Sequence, residues 1–348
     1  MRRSLFFVFL VILLSLPVGA MEFSAPEPPP GAAALLPEEA DSFGEGLWNV
    51  IAEGAKFITP SMNEAVRCCL RLLGAVLLTA LVGQLAPGVP KQALELAGVA
   101  ATAALLLEPS LSMIALGTEA VTELREYGKL LFGVLASVLA AAGGVNASTA
   151  LYVGTAFFDA LLGTAVTAVF LPVLWMLLAL SIARAAVGES IIGRLKALFH
   201  WLLEWSLKLT LYLFTGYMAV TGVVSGSADA AAGKAARIAI SGAVPVVGGI
   251  LSDAADAVLL SASALGAGAG VWGILTVIAL FCAPAVKIGC QYLMLKLTSA
   301  IAESLGGGRC GMLIGDFAGA MGLLLALVST QAVLLLVSSL CFLKGVGG

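Results

Sequence analysis

The chain of 348 residues is 60% hydrophobic and 11% charged, against about a quarter charged in an ordinary soluble domain. A soluble fold cannot hide that much apolar surface, and a net charge of −3 gives no support to nucleic-acid binding. With a mean hydropathy of +1.06 spread along most of the length, the membrane has to be the solvent. Long apolar runs without period-two alternation meet that demand as helices rather than as a β-barrel. The expected fold class is all-α: a polytopic membrane helical bundle of about seven or eight transmembrane helices.

The first residues, MRRSLFFVFLVILLSLPVGA, carry Arg2 and Arg3, an apolar run from Leu5 to Leu16 and small residues at Gly19 and Ala20, the pattern of a secretory signal. Residues 1–20 are expected as a signal peptide, 21–64 as an acidic extracytoplasmic leader and 65–348 as the helical transmembrane domain. From Met21 to Glu64 eight residues are acidic and one, Lys56, is basic. The Pro-rich APEPPPG at Ala25–Gly31 predicts an extended, poorly ordered linker. Leu47, Val50, Ile51 and Ala55 recur at helical spacing and predict a short helix over Phe43–Phe57 at the membrane face.

Apolar runs follow at Val66–Leu85, Ala93–Met113, Leu130–Ala142, Leu151–Phe170, Leu171–Val187, Leu209–Val224, Val271–Val286 and Ala318–Phe342. Leu130–Val187 reads either as three short helices or as two long tilted ones, with Gly143-Gly144 and Pro172 as breaks. The loop from Arg184 to Lys208 holds Arg184, Arg194, Lys196 and Lys208, and the loop from Lys287 to Arg309 holds Lys287, Lys296 and Arg309. Both are expected in the cytoplasm. From an outside leader, five spans reach the first loop and two more the second, and a last span leaves Lys344 outside. Gly188–Lys208 itself reads as an amphipathic helix at the inner interface, anchored by Trp201 and Trp205.

Asp159, in TAFFDALLGTA, lies within an apolar span, where a carboxylate is costly. It serves either an ion or proton path or a pairing between helices. Lys287, Glu303 and Asp316 read as interface residues. Small residues at four-residue spacing, Gly266 and Gly270 and the series Gly311, Gly315 and Gly319, predict close helix packing within one chain or in a homo-oligomer. His200 is the single histidine, and the six cysteines lack metal-site spacing. No catalytic, cofactor or metal site is expected, and the cysteines read as small apolar helix residues.

The stretch from Gly216 to Leu265 differs, because Lys234, Arg237, Asp253 and Asp256 are spread among small residues around Pro245-Val-Val-Gly248-Gly249. Pro and the paired Gly interrupt any helix there. The alternatives are a re-entrant hairpin around Pro245–Gly249, buried or facing water, and an outer loop of two surface helices. The runs FTGYMAVTGVVSGSAD and GKAARIAISGAVPVVGGILSDAADAV resemble the stage III sporulation protein AE family, strongly over Phe214–Val258 and more loosely through LLLALVSTQAVLLLVSSLCFLKG. The resemblance implies a sporulation role in the mother-cell membrane around the forespore, beside the other stage III sporulation A-operon proteins and, indirectly, stage II sporulation protein Q. Together these are expected to form a channel or feeding apparatus needed for late forespore gene expression. Lys234, Ser241, Pro245, Gly248, Gly249, Ser252 and Asp253 carry over as a structural signature, with no catalytic role.

Two function classes follow. One is a structural or channel-forming component of a larger assembly, in contact with membrane lipid. Its energy comes from elsewhere, since the chain has no G-x-x-x-x-G-K-[ST]. The other is a stand-alone permease for a small solute, which predicts interrupted helices in matching positions.

Overall fold

The computed structural model describes residues 25–37, 43–85, 90–141, 144–188, 191–220 and 269–347, and among these no strand occurs. The signal segment and the stretch carrying Lys234, Ser241, Pro245, Gly248, Gly249, Ser252 and Asp253 lie outside the described residues. The elements are α1 (Pro30–Ala33), α2 (Phe43–Lys56), α3 (Ile58–Leu85), α4 (Lys91–Ala141), α5 (Val145–Ala165), a π-helical turn (Val166–Phe170), α6 (Leu171–Val187), α7 (Ile191–Val220), α8 (Ala269–Ser304) and α9 (Gly308–Gly347). The fold is an all-helical membrane bundle. Five helical stretches of the described residues are long and apolar enough to cross a bilayer: Phe43–Leu85, Lys91–Ala141, Val145–Val187, Gly270–Ser304 and Gly308–Leu343.

The last helix forms the centre. In its most apolar window 72% of residues are buried inside the protein, against 28% for Phe43–Leu85, and α9 packs on α8, α4, α6, α5 and α7. Peripheral helices turn Leu77, Leu78, Leu81, Val153, Phe157 and Trp175 outward. An apolar outer surface on an apolar core is what hydrocarbon requires.

Specific contacts fix the helix directions. Arg309 at the start of α9 pairs with Glu95 near the start of α4 at 3.0 Å, and Phe342 stacks on Phe132 with ring centroids 5.9 Å apart, so α4 and α9 run parallel. Ser299 Oγ donates to the Gly311 carbonyl at 2.8 Å, and Gly270 abuts Leu343, so α8 is antiparallel to both. At one end α7 meets α9 through Lys196 and Asp316, and at the other its Tyr217 hydroxyl donates to the Ala150 carbonyl at 2.8 Å. The chain therefore makes six end-to-end passes among the described residues. It leaves α7 at Val220 and enters α8 at Ala269 at the same end.

This count is lower than the number of apolar runs, for an identifiable reason. Ala93–Met113 and the run from Leu130 as far as Ala141 belong to one 51-residue helix, because the charged stretch between them stays helical and buries Val121, Leu124 and Tyr127. Pro109 lies inside it. Leu151–Phe170 and Leu171–Val187 are likewise continuous: the π turn lets the Leu171 N–H reach the Val166 carbonyl five residues back, so Pro172 enters in the first turn of α6, where a missing N–H costs nothing. Three passes replace the five expected before the first basic loop. Both numbers are odd, so the first basic loop still lies opposite the leader, and the two passes of α7 and α8 bring the second to the same end.

Two glycines with positive φ make the turns there, Gly188 at 91° and Gly306 at 84°, a conformation open to Gly at no steric cost. Gly188 N–H returns to the Arg184 carbonyl at 3.0 Å. Beyond it α7 runs back antiparallel to α6, so Ile191–Lys208 is the first part of a helix that follows the bundle and does not lie across its end. Residues 25–29 of the Pro-rich leader carry no regular structure, and beyond them the leader docks on the bundle. Ala32 and Leu35 are buried, α1 packs on α8, and α2 buries Phe43, Leu47 and Val50 on the same helix, with Gly54 against Cys282.

Candidate functional site

Asp159 is the polar centre of the bundle. Its neighbours on α5 are apolar, and the residue is 4% exposed. One carboxylate oxygen accepts a hydrogen bond from Gln331 Nε2 of α9 at 3.0 Å, and the other stands 3.5 Å from Arg125 Nε of α4. Gly163, one turn further along α5, is what admits Arg125: a Cβ there would overlap the guanidinium. Phe158 packs edge-on against Phe214 at 5.4 Å and lies 5.8 Å from Tyr217, so an aromatic wall closes the α7 side. The carboxylate and guanidinium cancel in charge, which is how an ion pair survives away from water.

Of the two readings of Asp159, the geometry displays the interhelical pairing. Sequence reasoning missed Gln331 and Arg125. Gln331 is the lone amide in the last apolar run and is fully buried, a signal open to reading. Arg125 sits among Glu119, Glu123, Glu126 and Lys129, where nothing marks the inward-facing member.

A second polar layer lies about 22 Å along α9 from Gln331, at ~1.5 Å per residue. Asp316 is 11% exposed at its side chain, with Arg184 Nη1 at 3.6 Å from one oxygen and Lys196 Nζ on the other. It is thus shielded by paired cations at this end of the bundle, where Gly311 and Gly315 lie against Glu303 and Ser299 and α8 packs closely on α9. Arg309 joins this end, donating to the Ala186 carbonyl at 3.3 Å. The two basic loops, distant in sequence, converge here. Gly270 and Gly311 pack as small residues should, while Gly266 lies outside the described residues.

Cys69, Cys290, Cys310 and Cys341 are buried in the bundle. Among the described residues no group of three or more His, Cys, Asp or Glu side chains has metal-holding geometry. Most of the Ser and Thr hydroxyls with a described partner bond back to their own helices, as Thr102 to the Gly98 carbonyl at 2.8 Å and Ser181 to Leu177 at 2.7 Å, which satisfies them without water.

Long apolar helices joined by internal polar pairs define a multi-pass helical membrane protein. Residues 49–343 match the family of stage III sporulation protein AE. The chain belongs to that family, and its role is in sporulation. A relative described as stage III sporulation protein AE, from Bacillus subtilis (strain 168), is 25% identical over 191 residues, 55% of this chain and 48% of the relative. The match thus spans about half the length of that relative. No solved structure matches the chain.

Proposed function

We propose that the protein is a non-enzymatic, structural or pore-forming membrane component of a sporulation-specific channel or feeding apparatus between mother cell and forespore, needed for late forespore gene expression. It resides in the mother-cell membrane around the forespore, with its leader outside the cytoplasm. Its partners are the other stage III sporulation A-operon proteins and, through them, stage II sporulation protein Q. The observation that carries this reading is the shared end of the bundle at which α7 finishes and α8 begins. By the positive-inside rule the Arg184, Lys196 and Arg309 end faces the cytoplasm. The opposite end, from which the stretch with Pro245, Gly248 and Gly249 departs, then meets the space between the two membranes and the partners there.

A tagged chain, expressed in sporulating cells that lack their own stage III sporulation protein AE, is expected to restore spore formation and to co-purify the other operon products. Reconstituted alone in liposomes, it is expected to pass no small solute; flux without partners would transfer the assignment to a stand-alone permease. Sidedness is checked separately with single cysteines at two exposed positions, Val145 and Val187, in a background lacking the native cysteines. An impermeant maleimide added from outside should modify position 145 in intact cells and position 187 only after permeabilisation. The reverse pattern overturns the orientation.

A further inference from the structure

At the basic end a groove of about 240 Å³ opens between α6 and α7, lined by Arg184, Gly193, Lys196, Ala197, His200, Trp201 and Glu204. We propose that it binds the phosphate of an anionic phospholipid from the leaflet at that end. Three observations carry this. The first is charge: Lys196 takes one oxygen of Asp316, and Lys296 of α8 stands within electrostatic range of both Lys196 and His200. Lys296 is exposed and has no ion-pair partner among the described residues. Glu204, the acid at the rim, is engaged by Lys208 at 2.7 Å, so Lys296 remains an uncompensated cation near the groove, outside its lining.

The second observation is the surface beside it. Leu195, Leu198, Trp201, Leu202 and Trp205 are all at least 36% exposed, and the two indoles stack with centroids 6.0 Å apart. Indole rings favour the headgroup level of a bilayer, and further along α7, away from the basic end, Tyr212 and Leu213 are exposed and extend the apolar surface on which an acyl chain can lie. A free phosphate would gain nothing from that surface. The third is size: drug-sized ligands occupy pockets from about 300 Å³ upward, so this groove suits a headgroup and not a larger ligand. The site stands on the membrane-embedded fold and does not depend on the proposed partners or on which side the basic end faces.

The test uses the full chain in nanodiscs and native mass spectrometry, scoring discrete lipid adducts with phosphatidylglycerol against phosphatidylcholine, and inorganic phosphate alone as a third arm. Phosphatidylglycerol should bind preferentially, and Lys296→Gln should weaken it about fivefold, the contribution of one basic residue near an anionic headgroup. Lys296 is exposed and its loss spares the fold; Lys196→Gln is the second variant and leaves Arg184 with Asp316. Lys56→Gln, the same charge change on α2 beside Glu53, should leave the adduct unchanged. Equal loss in Lys56→Gln, equal retention of phosphatidylcholine, or full occupancy by inorganic phosphate without a lipid adduct would each overturn the site.

Discussion

Asp159→Asn should lower the stability of the purified protein by about 3 kcal/mol, read as the midpoint of denaturant-induced unfolding in mixed micelles. An asparagine keeps an oxygen for Gln331 Nε2, so the hydrogen bond at 3.0 Å is not the main loss; interhelical hydrogen bonds in membranes average only about 0.6 kcal/mol. The cost is the guanidinium of Arg125, left among helices without its counter-charge. Breaking a buried pair costs about 3–5 kcal/mol, and the 24% exposure of the Arg125 side chain favours the lower figure.

The double variant Arg125→Gln with Asp159→Asn removes both charges and leaves polar groups able to bond one another. It should return to within about 1 kcal/mol of the parent. Sporulation then separates the two roles of the carboxylate. A pairing residue predicts that spore formation recovers with stability. Recovery of stability with a persisting sporulation defect would instead place Asp159 in an ion or proton path.

The second large effect is steric. Gly117 and Gly128 of α4 receive Leu324 and Leu335 of α9, two matched contacts along the parallel pair at the centre of the bundle. A leucine at either position would occupy the volume of its partner, and overpacking costs about 1–3 kcal/mol per site. Replacing Gly117 and Gly128 together by Leu should therefore cost roughly 4 kcal/mol and separate α4 from α9. Gly133, on the same helix with open space around it, is the control. There Leu gains about 1 kcal/mol of helix propensity and should leave unfolding unchanged or slightly raised. Equal losses at Gly133 and Gly128 would show that glycine acts through the chain rather than through the contact with α9.

Much of the fold was legible in the residues. Apolar runs marked the helices because each must bury its backbone in its own hydrogen bonds, and Phe43–Phe57 was read nearly to its ends from spacing alone. Asp159 stood out because charge is rare in such runs. The merging of runs was not legible: the continuity of α4 through Glu119–Lys129 depends on Leu124 and Tyr127 being buried in the bundle, and the continuity at Pro172 depends on a π turn that has no strong sequence mark. The stretch that carried the family resemblance most strongly, around Pro245, lies outside the described residues. The site developed above rests on Asp159, Gln331 and Arg125 instead.

By itself the sequence determined the solvent, the helical class and the grouping of both basic loops at one end, since these follow from local composition and from parity, while its motif around Pro245 carried the resemblance to the family. Only the tertiary structure decided how many passes carry that parity, that Asp316 pairs with Arg184 and Lys196, and that Arg125 and Gln331 are the partners of Asp159. Partner choice is set by which helix faces meet. In a bundle where most residues are apolar, that meeting is governed by the fit of small residues such as Gly163 and Gly128 against particular side chains on distant helices, and no local pattern encodes it.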